Sequence, residues 1–206
     1  MTSESFGSSL RFVLRWEGGF VDHPDDPGGR TNKGVTQAVY NDWRAAQGLP
    51  AQDVKLITDA DVQAIYEANY WQRAFCNELQ TPLSLVHFDT AVNMGVKRAI
   101  RFLQHSAGCG VDGDFGEGTR KAVGNCDQGT AVIEYCSARE TYYRTLATEK
   151  PKLAIFLKGW LNRLNALRAE AGLPGFERTR SFDLGDTDYI RKIPDLGVDP
   201  DYDFQE

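Results

Sequence analysis

Trp16-Glu17-Gly18-Gly19-Phe20-Val21-Asp22-His23-Pro24-Asp25-Asp26-Pro27-Gly28-Gly29-Arg30-Thr31-Asn32-Lys33-Gly34-Val35-Thr36 is the stretch around which the 206 residues are arranged. Upstream of it, Phe6, Leu10, Val13 and Leu14 recur at helical spacing, which predicts a helix with one apolar stripe. Glu17 falls three and four residues after Leu14 and Val13, so the stripe would carry it to the helix end. A carboxylate on the buried edge of a helix is costly to ionise. Gly18-Gly19 is expected to stop the helix, because glycine takes the left-handed C′ conformation cheaply. A turn-rich loop with Asp22, Asp25 and Asp26 comes next, ahead of Arg30 and Thr31.

A half-buried glutamate at a helix end, facing a more solvated aspartate, is the pairing that cuts glycosidic bonds. The same residues carry a resemblance. Glu-Gly-Gly-aromatic followed by Asp-Pro-Gly-Gly-x-Thr-Asn-x-Gly-Val-Thr resembles family 108 glycoside hydrolases, N-acetylmuramidases of the lysozyme-like superfamily. The Glu…Asp…Thr order is also similar to the catalytic triad of phage-type lysozymes. Four residues stand between Asp26 and Thr31, one fewer than that triad usually has. The second carboxylate is therefore Asp26 or Asp25; Asp26 is favoured because it lies in the Asp-Pro-Gly-Gly element. Further on, Phe88 to Gly95 and Cys109 to Thr119 resemble the predicted peptidoglycan domain found downstream in this family.

Composition narrows the field. Hydrophobic content is 41% and charged content 25%, ordinary for a soluble protein with a real core. No apolar run approaches a membrane span, and Met1 to Ser5 shows no secretory signal. Net charge is −6, of which residues 177–206 carry −5. The body is thus near neutral, which argues against nucleic acid as a partner. Cys76, Cys109, Cys126 and Cys136 show no zinc-ligand spacing and read as free, mostly buried thiols.

The helical periods place the remaining elements. Thr36 caps a helix from Gln37 to about Ala46, with Val39, Trp43 and Ala46 on its apolar side and Gly48 at its end. Thr58 to Asp61 has a capping-box pattern and opens a longer helix through Tyr70. Thr81-Pro82 starts another, which Gly95 breaks. The Asp112-Gly113-Asp114 turn lacks the spaced oxygen ligands of a calcium loop and leads into a short helix near Thr119. Helices from Thr130 to Glu149 and from Lys152 to Ala171 complete the set, ahead of an acidic irregular tail.

These readings give an all-α, lysozyme-like fold of about seven helices with a Gly/Pro/Asp-rich active-site loop. Residues 1–84 form the muramidase region, 85–175 a peptidoglycan-binding helical region packed into the same body, and 176–206 the tail. The resemblance implies an N-acetylmuramidase with Glu17 as general acid, Asp26 as the second carboxylate and Thr31 holding water. Asn32, Gln37, Tyr70, Trp71 and Asn93 are the candidate substrate-binding residues, although core packing competes for both Tyr70 and Trp71 and an interior amide role for Asn93. Two carboxyl groups suffice, so no metal or organic cofactor is expected. Other readings are a lytic transglycosylase using the same Glu17, and a wall-binding or secretion-accessory protein without turnover. The partner is the peptidoglycan glycan strand. We expect a monomer without a transmembrane segment, made in the cytoplasm and delivered to the periplasm or wall by a holin, a secretion system or lysis.

Overall fold

The computed structural model describes residues 4–22 and 29–174; residues 1–3, residues 23–28 and the acidic tail lie outside the described residues. Eight α-helices and one short hairpin are present among the described residues. They group into two compact units, one ending at Arg73 and one starting at Ala74. The boundary expected at residue 84 falls instead inside the first turn of a helix that starts at Leu83.

In the first unit, α1 (Glu4–Leu14) buries Phe6, Leu10, Phe12 and Val13. Each such side chain contributes about 1.5–3 kcal/mol when fully removed from water. Strands β1 (Thr31–Asn32) and β2 (Val35–Thr36) pair antiparallel, and Val21 bridges Thr31 from the other side. α2 (Gln37–Ala46) is capped by Thr36, whose hydroxyl accepts from Val39 N at 3.3 Å. Its buried side chain is Tyr40, flanked by half-exposed Val39 and Trp43. The Tyr40 hydroxyl donates to Asp61 at 2.9 Å, which fastens α2 to α3 (Asp59–Tyr66). α3 begins with the expected Thr58–Asp61 capping box. It then widens into a single π-helical turn, Glu67–Gln72.

In the second unit, α4 (Leu83–Met94) is buried almost all round, the signature of a central helix. Around it stand α5 (Val96–Ser106), α6 (Glu117–Asn125), α7 (Gln128–Glu149) and α8 (Leu157–Glu170). Gly95 separates α4 from α5 at φ 85°, a conformation that glycine adopts without strain. The last helix starts five residues later than its sequence period indicates, because Pro151–Phe156 winds as a 3₁₀ segment first. The Asp112-Gly113-Asp114 turn wraps around the buried amide of Gln104. That side chain donates to Asp112 Oδ1 (2.7 Å) and Asp114 O (3.0 Å), and accepts from the backbone of Asp112 and Gly113.

Charge is also buried here. Asp89 is wholly enclosed between Arg139 Nη1 (2.6 Å) and Arg163 Nε (2.9 Å), tying α4 to α7 and α8. Burial pushes its carboxyl up, but Arg163 and Arg139 more than offset that and hold it below the usual carboxylate range. His87 is an interior histidine. Its Nε2 donates to Ala74 O at 2.9 Å and its Nδ1 meets the Tyr135 hydroxyl at 3.1 Å. Burial lowers its pKa to about 4. All four cysteines are free, and burial pushes the Cys136 thiol up to about 11.

His87 should make stability depend on pH. The folded state holds the ring neutral while the unfolded chain protonates it near its usual pKa, so the folded state binds fewer protons between them. Its contribution is complete above about pH 6.5 and is lost as pH falls toward 4, by up to about 3 kcal/mol. His105, also lowered by burial, acts in the same direction. Chemical denaturation at pH 7 and pH 4.5 should show this loss, and His87→Gln should flatten it. An equal slope in both proteins would assign the acid sensitivity elsewhere.

Candidate active site

α1 stops at Leu14, short of the glutamate. The backbone N–H groups of Arg15 and Trp16 still reach back to Phe12 O (3.2 Å) and Val13 O (2.8 Å), and the chain then bends at Glu17. This corrects the expectation that the helix carries Glu17 to its end. Neither Gly18 nor Gly19 takes a positive φ, and a Cβ on either would meet nothing within 4 Å. Their role as helix stop is therefore also corrected: the helix has ended before them.

The hairpin is the element that presses on Glu17. The β1–β2 turn is Lys33-Gly34, with φ 52° and 74°, the two left-handed residues of a tight hairpin turn. A Cβ on Gly34 would lie 3.0 Å from Glu17 Oε2, 3.2 Å from Glu17 Cγ and 2.2 Å from the Tyr66 hydroxyl. The glutamate therefore lies half-buried under the bare face of a glycine. Tyr66, itself buried, donates its hydroxyl to Lys33 O at 3.0 Å and so holds the turn down from α3. Lys33 is further tethered to Asp59 by an ion pair. These contacts put a carboxyl at the edge of a packed wall, shielded on one side and open to solvent on the other.

The loop bearing Asp25 and Asp26 lies outside the described residues, but both of its stems are fastened. Val21 and Thr31 exchange backbone hydrogen bonds at 2.8 and 3.0 Å. Arg30 pairs with Asp22 (3.2 Å) and Asp53 (2.8 Å), and its guanidinium lies 5.4 Å from the Phe20 ring centre. Lys55 Nζ lies 5.3 Å from the same centre. Thr31 is half-buried, with its hydroxyl donating to Gly29 O at 3.2 Å.

The other sequence candidates separate. Asn32 is buried, and its amide donates to Val54 O and Lys55 O, which binds the hairpin to the turn Val54–Leu56. Gln37 donates to Gln52 O (2.7 Å) and accepts from Val54 N (2.8 Å). Both amides are thus engaged in holding the wall behind the hairpin. Tyr70 is half-exposed on the π-helical turn, with its ring 5.5 Å from Tyr66. Trp71 is corrected: only 3% exposed, it packs edge-on against Phe6 at 5.3 Å and offers no open face to a sugar. Asn93 belongs to the second unit. There its Oδ1 accepts from the Tyr143 hydroxyl (2.6 Å) and Arg139 (3.2 Å) as part of the buried charge network. The positioning residues Gly34 and Tyr66 do not stand out in the sequence. Gly34 alone is a weak turn signal, since Lys33 fills the other left-handed position.

Residues 10–95 match the family profile described as Glycosyl hydrolase 108, and residues 98–165 match one described as Predicted Peptidoglycan domain. A solved structure, that of Brucella abortus SagA, is 33% identical, with a TM-score of 0.67. The match covers 81% of this chain and 93% of that one. The chain belongs to glycosyl hydrolase family 108. It is a glycoside hydrolase of the muramidase type, directed at peptidoglycan, with an all-α lysozyme-like fold. A search of curated proteins gave no match. Among the described residues of this family member, no helix is long and apolar enough to cross a membrane.

Proposed function

We propose that the chain hydrolyses the β-1,4 bond that follows N-acetylmuramic acid in peptidoglycan, with inversion at the anomeric carbon. The observation that carries this reading is the half-buried Glu17 carboxyl held under Gly34 by the Tyr66-anchored hairpin. Packing against the hairpin fixes the position of the carboxyl, as proton donation to a bound substrate requires. Glu17 protonates the leaving oxygen. Asp26 activates a water on the opposite face of the sugar, and Thr31 orients that water. Tyr70, half-exposed beside Tyr66, is the described aromatic that can line a bound sugar.

Inversion requires carboxyl groups about 6.5–9.5 Å apart, wide enough for the water, against about 5–5.5 Å for retention. A second carboxylate on a separate loop, whose stems are clamped by Arg30 and the Val21–Thr31 bridge, suits the wider spacing. The protein acts as a monomer in the periplasm or wall, reached through a holin, a secretion system or lysis. NMR of the first-formed product tests the mechanism. The α-anomer is expected. An initial β-anomer would show retention, and a 1,6-anhydro sugar would show transglycosylation by the muramic 6-hydroxyl.

A further inference from the structure

The second unit holds a cleft of about 280 Å³ that the hydrolytic reading does not use. It lies between the turn Cys76–Glu78 and helix α6, and its lining includes Glu78, Phe115, Arg120, Val123, Cys126 and Gln128. Most of these residues fall within the segment matching the peptidoglycan domain.

Its chemistry is that of a site for a small zwitterion. Arg120 and Glu78 form a two-point ion pair, Nε to Oε2 and Nη2 to Oε1, the latter at 2.9 Å. A guanidinium has five N–H donors, so three remain to meet a carboxylate. The Arg120 side chain is 52% exposed, so those donors are within reach of a ligand. Glu78 keeps acceptor capacity for an ammonium. On half-buried Gln128, Nε2 donates to Val123 O at 3.1 Å, while Oε1 is enclosed and has no hydrogen-bond partner. An enclosed acceptor without a partner is unfavourable, and a ligand N–H would satisfy it. Phe115 and Val123 provide an apolar wall between these polar points.

A sugar does not suit this cleft. Phe115 is stacked on Phe75 at 4.5 Å and 11°, and the Arg120 guanidinium lies over its ring at 5.4 Å. With Phe75 and the Arg120 guanidinium both packed on this ring, little open platform is left for a pyranose. The volume lies just below the range for ligand pockets, about 300–1,000 Å³, enough for a residue-sized group and small for a disaccharide.

We propose that this cleft binds the diamino-acid end of a peptidoglycan stem peptide, carboxylate on Arg120, ammonium on Glu78 and Gln128, and methylene chain along Phe115 and Val123. The proposal rests on the peptidoglycan reading but not on Glu17. The cleft would read the peptide while the first unit cuts the glycan.

The test is a ¹⁵N-detected NMR titration of the full chain with the tripeptide L-Ala-γ-D-Glu-meso-diaminopimelate, and separately with peptide-free N-acetylglucosamine oligomers. The tripeptide should shift amides of residues 115–128, and Arg120→Gln should weaken its binding at least tenfold. The same variant should raise KM several-fold on intact sacculi, leave kcat unchanged, and leave cleavage of peptide-stripped glycan untouched. Should Arg120→Gln fold poorly, Gln128→Met supplies the same comparison. Equal tripeptide binding by wild type and variant, shifts lying elsewhere, or glycan oligomers occupying the cleft would each overturn the proposal. Glu17→Gln should bind the tripeptide normally; activity surviving in that variant would sink the hydrolytic mechanism and leave the cleft standing.

Discussion

Gly34→Ala should lower peptidoglycan turnover by at least about 100-fold, the scale expected when a catalytic group moves by about 1 Å. Two costs combine at this position. A side chain at φ 74° carries backbone strain of about 1–2 kcal/mol. The new methyl would also stand 2.2 Å from the Tyr66 hydroxyl and 3.0 Å from Glu17 Oε2, so one of them, or the turn itself, must shift. Gly48→Ala separates the two costs. Its φ is 68°, but a Cβ there meets nothing within 4 Å. That variant should lose a little stability and keep its activity. Gly18→Ala and Gly19→Ala, with open space and no positive φ, should change neither. Initial rates on labelled sacculi and melting curves of the four variants check this. A Gly34→Ala enzyme with wild-type rates would show that the hairpin does not position Glu17.

Asp89→Asn should be the most damaging change to stability. The carboxylate is fully enclosed and neutralises Arg139 on one side and Arg163 on the other. The substitution keeps the shape and removes the charge, leaving two guanidiniums facing one another across an amide. Breaking a buried pair in this way costs about 3–5 kcal/mol. For a chain of this size each kcal/mol moves Tm by about 2–4 °C, so calorimetry should show a drop of at least about 6 °C. A loss below about 1 kcal/mol would mean that the cluster relaxes or admits water.

Much of the scaffold is legible in the sequence because it follows local rules. Thr36 and Thr58 cap helices, and Gly48 and Gly95 take the positive φ that ends one helix and separates two others. The candidate acid is legible too, though for a partly mistaken reason. Val13 and Leu14 project onto Glu17 only if α1 continues, and it ends at Leu14. The glutamate owes its partial burial to residues far along the chain. The hairpin that covers it is hard to see in the sequence. Its strands are two residues each, too short for alternation, and Lys33 occupies a left-handed position where glycine or asparagine would have flagged the turn. Trp71 shows the opposite failure. An aromatic at a groove and one in a core look alike until Phe6 is seen against it. The Asp89–Arg139–Arg163 cluster joins three helices across 74 positions of sequence, beyond what any local pattern encodes.

Glu17, held under Gly34, is the proposed acid that cuts the glycan. Mass spectrometry of the muropeptides released from purified sacculi by wild type and by Glu17→Gln tests it most directly, with melting curves to establish that both are folded. The wild type should release muropeptides with reducing N-acetylmuramic acid ends. Glu17→Gln, at an unchanged Tm, should fall by at least about 100-fold, the scale lost with a general acid. Release by the folded Glu17→Gln protein at the wild-type rate would show that another group protonates the leaving oxygen.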